Sequence, residues 1–295
     1  MKPVLLIVNP CSGTCQGLRK LGEIVDLFQK ADYLSTVMVT QKRGDAESFV
    51  CEYGAAYERI VCVGGDGTFS ETLSGLLKAG LKTPVGYIPA GSRNDLAASL
   101  GLPTHLLEAA QVVVEGQPRV LDIGLFNERY FSYVASFGAF TRASYSTPQD
   151  LKNTWGYLAY VLEGIKDLAS IQSMHLRAAV NEECFEGDYL FGAVSNSMSV
   201  GGILQFDSSL VDLNDGKLEL LLIRTPANTL EMARIIHALQ SRQYTECDNI
   251  VFKSAEQIVI ASEESGFDWT LDGEMVVGEK QTVLRAVPDA YRILL

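Results

Sequence analysis

Ile60-Val61-Cys62-Val63-Gly64-Gly65-Asp66-Gly67-Thr68 is the stretch on which the reading of this chain turns. Four apolar residues in a row read as a short buried strand. They run straight into three glycines set around one acid, with Thr68 opening a helical pattern that continues through Leu77. Glycine lets a backbone come close to a ligand, and N–H groups at a helix start can face phosphate oxygens. Gly64, Gly65, Asp66, Gly67 and Thr68 are therefore candidate phosphate-binding residues; a plain strand-to-helix turn is the alternative. The stretch is not a GxxxxGK[ST] loop. It is not GxGxxG either, which weakens a hydride-transfer reading.

The same alternation extends outward. Val4 to Val8 is an apolar run ending in Asn9-Pro10-Cys11-Ser12-Gly13, and Leu18, Leu21, Ile24, Val25 and Phe28 then recur at helical spacing. A second strand is expected over Val37–Thr40. Asp45 to Ala56 reads as a helix with a carboxylate near its start. Val85 to Pro89 is a fourth strand, running into Ala90-Gly91-Ser92-Arg93-Asn94-Asp95. Continuous apolar strands alternating with helices predict an α/β domain with a mostly parallel sheet covered on both faces. The loops after strands one, three and four then share the C-terminal edge, where open α/β sheets bind ligands.

Beyond about residue 118 the pattern changes. Strands are expected over 120–125 and 130–135, a helix over 154–171, then strands near 175–181, 189–195, 217–223, 250–253, 257–261, 268–271 and 281–287. A helix over 230–239 interrupts them. Short turns bearing Gly, Asn or Asp join many of these, which predicts a C-terminal β-sandwich domain. The domains are expected at 1–125 and 126–279.

Charge narrows the function classes. The 295 residues carry 24 Lys and Arg against 36 Asp and Glu, a formal charge of −12. That balance excludes a nucleic-acid binder, which needs basic residues to neutralise phosphates. It also excludes a polybasic membrane anchor. No run of 18 apolar residues occurs, so no transmembrane segment is expected. The six cysteines form no CxxC pair and read as reduced cytoplasmic thiols. Cys11 and Cys15 lack a second ligand pair, since His105, His175 and His237 lie far apart.

Two further turns carry acids. In Asp268-Trp269-Thr270-Leu271-Asp272-Gly273-Glu274, Asp-Gly between strand-like stretches is a hairpin signal. Either Asp272 or Glu274 could take a proton from a substrate hydroxyl. Asp212-Leu213-Asn214-Asp215-Gly216-Lys217 reads first as a turn and second as an oxygen-ligand cation site.

Taken in order, these motifs resemble the diacylglycerol kinase catalytic family, in its bacterial lipid-kinase branch. The resemblance spans nearly the whole chain. It runs from Asn9-Pro10-x-Ser12-Gly13 through Thr40 and Gly64-Gly65-Asp66-Gly67-Thr68 with Glu71. Pro89-x-Gly91-Ser92-x-Asn94-Asp95 and Leu121-Asp122-x-Gly124 follow. Asn196 with Gly201-Gly202, Asp215-Gly216-x-Leu218 and Leu271-Asp272-Gly273-Glu274 complete it. NAD kinases and 6-phosphofructokinases share the glycine stretch alone; the ordered series is the specific signal.

The resemblance implies a nucleotide-binding α/β domain, a β-sandwich domain, and a C-terminus over 280–295 that returns to the first. It implies an ATP- and Mg2+-dependent kinase acting on a lipid hydroxyl such as that of diacylglycerol or phosphatidylglycerol. An NAD-kinase-like activity and a non-catalytic nucleotide-binding regulator are the alternatives. Asn9, Pro10, Ser12, Gly13, Thr40, the 64–68 loop, Glu71, Gly91, Ser92 and Asn94 would hold ATP. Asp66, Asp95 and Asp122 would belong to the network around the catalytic Mg2+, and Asp212, Asp215 and the Lys217 carbonyl would hold a structural Mg2+. Asp272 and Glu274 share the motif that supplies the base. The expected setting is cytoplasmic, with weak peripheral contact to the lipid surface; bacterial relatives suggest a homodimer. Ser92 stands where Thr is common, Ser70 where Asn is usual, and no Pro precedes the Asp215-Gly216 turn; none of these removes a carboxylate.

Overall fold

The structure, a computed structural model, describes residues 1–138, 173–200, 204–206, 210–262 and 266–295. The helix expected over 154–171 and the pair Gly201-Gly202 lie outside those residues. The chain divides into two units, Met1–Ile123 with Pro288–Leu295, and Gly124–Val287.

The first unit alternates strands and helices. In order they are β1 (Lys2–Val8), α1 (Gln16–Arg19), α2 (Leu21–Lys30), β2 (Tyr33–Val39), α3 (Asp45–Tyr53), β3 (Arg59–Gly64), α4 (Asp66–Lys78), β4 (Val85–Pro89), α5 (Asp95–Ser99) and α6 (Leu106–Glu115). The strands pair in parallel in the order β2-β1-β3-β4. Val4 to Val8 are all fully buried, so β1 turns no face to water. One face of the sheet packs Leu6, Val61 and Ile88 against Ile24 and Phe28 of α2 and Ala109 and Val113 of α6. On two further helices, Val50 of α3 and Phe69, Leu73 and Leu76 of α4 are fully buried.

In this unit three elements depart from the sequence expectation. β2 begins at Tyr33 rather than Val37, because its whole length pairs with β1 from Lys2↔Tyr33 to Val8↔Val39. Neither α5 nor α6 was anticipated, although Leu106, Ala109, Ala110 and Val113 recur at helical spacing on the buried side of α6.

β5 (Pro118–Phe126) leads into the second unit. Its strands are β6 (Arg129–Phe131), β7 (Val134–Gly138), β8 (Met174–Val180), β9 (Glu183–Ser195), β10 (Ser199–Val200), β11 (Leu204–Gln205) and β12 (Leu218–Arg224). After α7 (Thr229–Ser241) come β13 (Ile250–Ala255), β14 (Gln257–Ala261), β15 (Asp268–Leu271), β16 (Glu274–Val277) and β17 (Gln281–Leu294). Pairing within the unit is antiparallel. β9 serves two sets of partners: its first half pairs with β8, its second with β7 and β12. Phe131, Phe137, Val194, Leu220, Leu222, Ile258 and Trp269 share one sandwich core. Trp269 stands edge-on to Phe126 and Phe137, a favoured aromatic geometry.

β17 runs on past residue 287, and its end, at Ile293↔Val85, adds in parallel beside β4 in the first unit. Gln117 and Leu295 exchange both backbone hydrogen bonds there. Among the described residues no helix is long and apolar enough to cross a membrane.

β4 meets α6 so closely that a methyl group on Gly86 would lie 2.3 Å from a Val113 methyl. Val113 is β-branched and cannot swing aside. Gly86→Ala is expected to cost about 1–3 kcal/mol of stability, read as a lower denaturation midpoint at unchanged slope.

Candidate active site

Three loops at the strand ends of the first unit lie against one another. β3 ends at Gly64, Gly65 is the N-cap residue, and α4 begins at Asp66 with no intervening loop. The first turn of an α-helix leaves N–H groups without intrahelical partners and carries positive partial charge. Gly65 faces the loop after β4: a methyl group on Gly91 would lie 2.6 Å from the Gly65 Cα. The loop after β1 is equally close, since a methyl group on Gly13 would meet the Ala90 carbonyl at 2.6 Å. The Asn9 amide donates to the Thr68 hydroxyl at 2.9 Å, while its carbonyl oxygen accepts from the Cys11 N–H. Pro10 is half-buried, Ser12 and Thr40 are buried, and Ser92 is exposed. The Thr40 N–H donates to the Val8 carbonyl, tying the end of β2 to that of β1. Asn94 closes its own loop, accepting from the Gly91 N–H at 2.9 Å and donating to the Gly91 carbonyl at 3.0 Å. Glu71 is turned toward the chain ahead of α3, where its carboxylate accepts from the Gly44 N–H at 2.9 Å.

Two of the expected carboxylates meet here. Asp66 accepts from the N–H of Asp95 at 3.0 Å and of Leu96 at 3.3 Å, and so caps α5 from a distance of 29 residues in sequence. The Tyr87 hydroxyl donates to Asp66 at 3.2 Å, and its ring stacks on Phe69. Asp95 is buried, and its Oδ2 has no hydrogen-bond partner. Burial pushes its carboxyl up to about 6, with the Asp66 charge adding to the rise and Arg93 opposing it. Asp122 is engaged through Oδ1 by the Asp289 N–H at 2.9 Å, within the returning C-terminal segment.

In the second unit, Asp272 and Gly273 both have positive φ, 49° and 87°, and join β15 to β16 as an Asp-Gly hairpin. Both Asp272 oxygens are used. Oδ2 accepts from the Ser132 N–H at 2.6 Å and hydroxyl at 2.8 Å; Oδ1 accepts from the N–H groups of Tyr133 and Val134 at 3.0 and 3.1 Å. This explains why the single strand expected over 130–135 is two strands. The N–H groups of Ser132 to Val134 are given to a carboxylate instead of a neighbouring strand. Burial pushes the Asp272 carboxyl up and these hydrogen bonds pull against it. Glu274 is instead half-exposed and paired with Arg129. At the other acidic turn, Asp212 accepts from the Asn214 N–H and Asp215 from the Lys217 N–H, both side chains being exposed. Glu219 on β12, which the sequence reading passed over, is buried with one oxygen unpartnered. Burial, reinforced by Asp215, pushes it up to about 8.

The N-terminal half, residues 3–126, matches the model of the diacylglycerol kinase catalytic domain, and residues 134–295 match the YegS C-terminal NAD kinase beta sandwich-like domain. A diacylglycerol kinase of Bacillus subtilis (strain 168) is 32% identical over 294 residues, covering 97% of this chain and 95% of that protein. The chain belongs to the diacylglycerol kinase family. A diacylglycerol kinase of Staphylococcus carnosus (strain TM300) is 31% identical over 279 residues, covering 92% of this chain and 89% of that one. Among solved structures, a diacylglycerol kinase from Bacillus anthracis str. Sterne shares the fold with a TM-score of 0.77 at 20% identity, covering 99% of this chain and 96% of that.

As a diacylglycerol kinase family member, the chain offers donors and acceptors in the right chemical classes. No three His, Cys, Asp or Glu side chains among the described residues form a ready metal cage. Mg2+ does not need one: it keeps several waters and is held by one or two carboxylates plus substrate phosphates. The unpartnered Asp95 oxygen beside Asp66 fits such a hydrated ion. Tyr87, which no motif marked, is the residue that sequence reasoning missed here; its only signal was that a buried tyrosine hydroxyl requires a partner.

Asp95 has a pH signature. Its folded pKa of about 6 lies above the ordinary 3.8, so between those values the folded chain keeps a proton that the unfolded chain has released. Stability contributed by Asp95 is thus present below about pH 4 and lost as pH rises through about 6, by at most about 3 kcal/mol. In divalent-free buffer, the stability difference between the wild type and Asp95→Asn should move in the variant's favour from pH 4 to pH 7, measured by urea denaturation.

Proposed function

We propose that this chain is an ATP- and Mg2+-dependent lipid kinase that transfers the γ-phosphate to a hydroxyl of diacylglycerol or a related lipid alcohol. The observation that carries the reading is the Asp66–Asp95 pair, with its buried unpartnered oxygen, at the start of α4 where the three loops meet. N–H groups of the 64–68 loop would take the phosphate oxygens as preorganised donors. Ser12, Thr40 and Ser92 would add hydroxyls, and Asn9 and Asn94 would hold the loops in place. Asp66 and Asp95 would hold the Mg2+, with Asp122 behind them. When bound, that ion neutralises charge developing on the transferred phosphoryl group. A second Mg2+ would sit at Asp212, Asp215 and the Lys217 carbonyl.

Glu274 is the proposed base. Asp272 has both oxygens filled by donors and is better suited to shaping the turn, whereas Glu274 is half-exposed beside Arg129. The acceptor hydroxyl gives its proton to the Glu274 carboxylate as its oxygen bonds to the γ-phosphorus. The bond from that phosphorus to the bridging oxygen breaks, and ADP leaves. Met275 and Val277, 69% and 74% exposed, share the other face of the same short strand and offer apolar surface on this hairpin, as suits an enzyme that meets a lipid surface.

The direct test is purified chain with radiolabelled ATP and Mg2+, offered diacylglycerol, phosphatidylglycerol and sphingoid-base micelles, with NAD as the soluble competitor. Labelled phospholipid is expected; label in NAD alone, or in no lipid, would overturn the proposal. The two acids should separate cleanly. Glu274→Gln is expected to lower kcat by about 10²–10⁴-fold and shift stability by less than about 1 kcal/mol, because its ion pair is partly exposed. Asp272→Asn places an amide against N–H donors and is expected to cost about 2–3 kcal/mol of stability, seen in the denaturation midpoint. A fully active Glu274→Gln enzyme would sink the base assignment.

A further inference from the structure

Glu219 lies on β12 between Leu218 and Leu220, 1% exposed, and its Oε2 has no hydrogen-bond partner. Its cross-strand neighbours are Ser195 on β9 and Ser254 on β13. Residues directly opposite in an antiparallel pair share a face of the sheet. The three side chains therefore form one polar row on the side away from Leu218, Leu220 and Leu222, which belong to the sandwich core. Ser254 donates to Glu219. The Ser195 hydroxyl, fully buried, has no partner. Two polar atoms on adjacent strands are thus buried and unsatisfied side by side.

Charge makes the arrangement more demanding. The charged groups that bear on Glu219 are Asp215 and Asp212, both acidic. Among the described residues no ion pair reaches it, and Lys217 lies 3.9 Å from Asp215. A buried carboxyl is costly to ionise without a counter-charge, so a cation here would take the place of a proton. The groups that bear on Glu219 from its neighbours are oxygen-bearing: the Ser254 hydroxyl and the Asp215 and Asp212 carboxylates, with the Ser195 hydroxyl opposite it. That set suits a hard divalent cation.

We propose that Glu219 is the buried anionic anchor of a hydrated divalent cation seated at the 212–217 turn, with Glu219 Oε2 and the Ser195 hydroxyl bonding to waters of that ion. The inference rests on the cation reading of this turn given above, and adds the residue that ties the ion to the sheet. A hydrated ion needs no three-ligand cage, because Mg2+ keeps much of its water and takes few direct carboxylates. Groups that hold a metal's waters orient the ion and contribute to affinity without touching it. In this arrangement the cation does for Glu219 what a lysine would do in an ordinary buried pair. Without the ion, Glu219 of β12 and Ser195 of β9 hold two unsatisfied polar atoms side by side near a doubly acidic turn.

The test uses the full chain without nucleotide, carrying Asp95→Asn throughout so that the Asp66–Asp95 pair is broken and every variant shares the same residual binding at the phosphate loop. Mn2+ is the probe, its free concentration followed by electron paramagnetic resonance, and the thermal midpoint is read with Mg2+ and with chelator. The parent should bind Mn2+ and gain thermal stability with Mg2+. Glu219→Gln should bind Mn2+ about 10–100-fold more weakly and lose the Mg2+ response, with a chelated midpoint no lower than the parent's. Mn2+ affinity within twofold of the parent in Glu219→Gln would overturn the anchor role. A parent chain that binds no Mn2+ would overturn it together with the cation at this turn. Should Glu219→Gln fail to fold, Ser195→Ala decides: binding weakened by about threefold or more supports the proposal, and unchanged binding overturns it. Lipid phosphorylation by the wild type is assayed separately, so a failed kinase reading and a failed anchor are told apart.

Discussion

Two backbones touch where side chains would ordinarily stand. Gly64 and Pro89 are partners at the ends of the parallel pair β3 and β4, and just beyond them Gly65 and Gly91 face each other so closely that a Cβ on Gly91 would lie 2.6 Å from the Gly65 Cα. The rest of the first unit's site depends on that approach. It brings the start of α4 beside the start of α5, so that the Asp66 carboxylate reaches the Asp95 N–H. Tyr87 and Asn94 then brace the acid and the loop from below. A bulkier residue at Gly91 would separate the two helix starts, and with them the acids proposed to share a cation.

The second unit depends on a different economy. Asp272 gives both its oxygens to donors from residues 132–134 and in return sets where β6 stops and β7 begins. Two residues on, Glu274 is paired with Arg129 and has access to solvent. Two acids of one hairpin thus differ because one is surrounded by backbone donors and the other is not. Glu219 is the third case: buried as deeply as Asp272, yet supplied with too few donors for its oxygens.

Much of this was legible in the sequence, for identifiable reasons. Strands β3 and β4 announced themselves as apolar runs closed by glycine or proline, and the Asp272-Gly273 turn by the positive φ angles that this dipeptide adopts readily. α6 is equally periodic, with Leu106, Ala109, Ala110 and Val113 on its buried side, but no glycine-rich or acidic motif marks it. The split at Ser132 was hidden, because nothing local to Tyr130–Ala135 opposes a continuous strand. Glu219 did leave a trace, a single acid inside Leu218-Glu219-Leu220-Leu221-Leu222, which alternation alone would have assigned to a solvated face.

By itself, then, the sequence determined the order of strands and helices, the glycine-rich character of three strand-end loops, the hairpin at Asp272 and the family resemblance. These follow from residue spacing and backbone preference, which act over a few positions. Tertiary structure alone decided which carboxylates are occupied and which are available. Asp272 is satisfied by groups 138 to 140 residues away and Asp122 by one 167 residues away, while Glu219 is buried by strands on either side. A carboxylate's chemistry is set by the donors and charges around it, and those arrive only when distant strands pack.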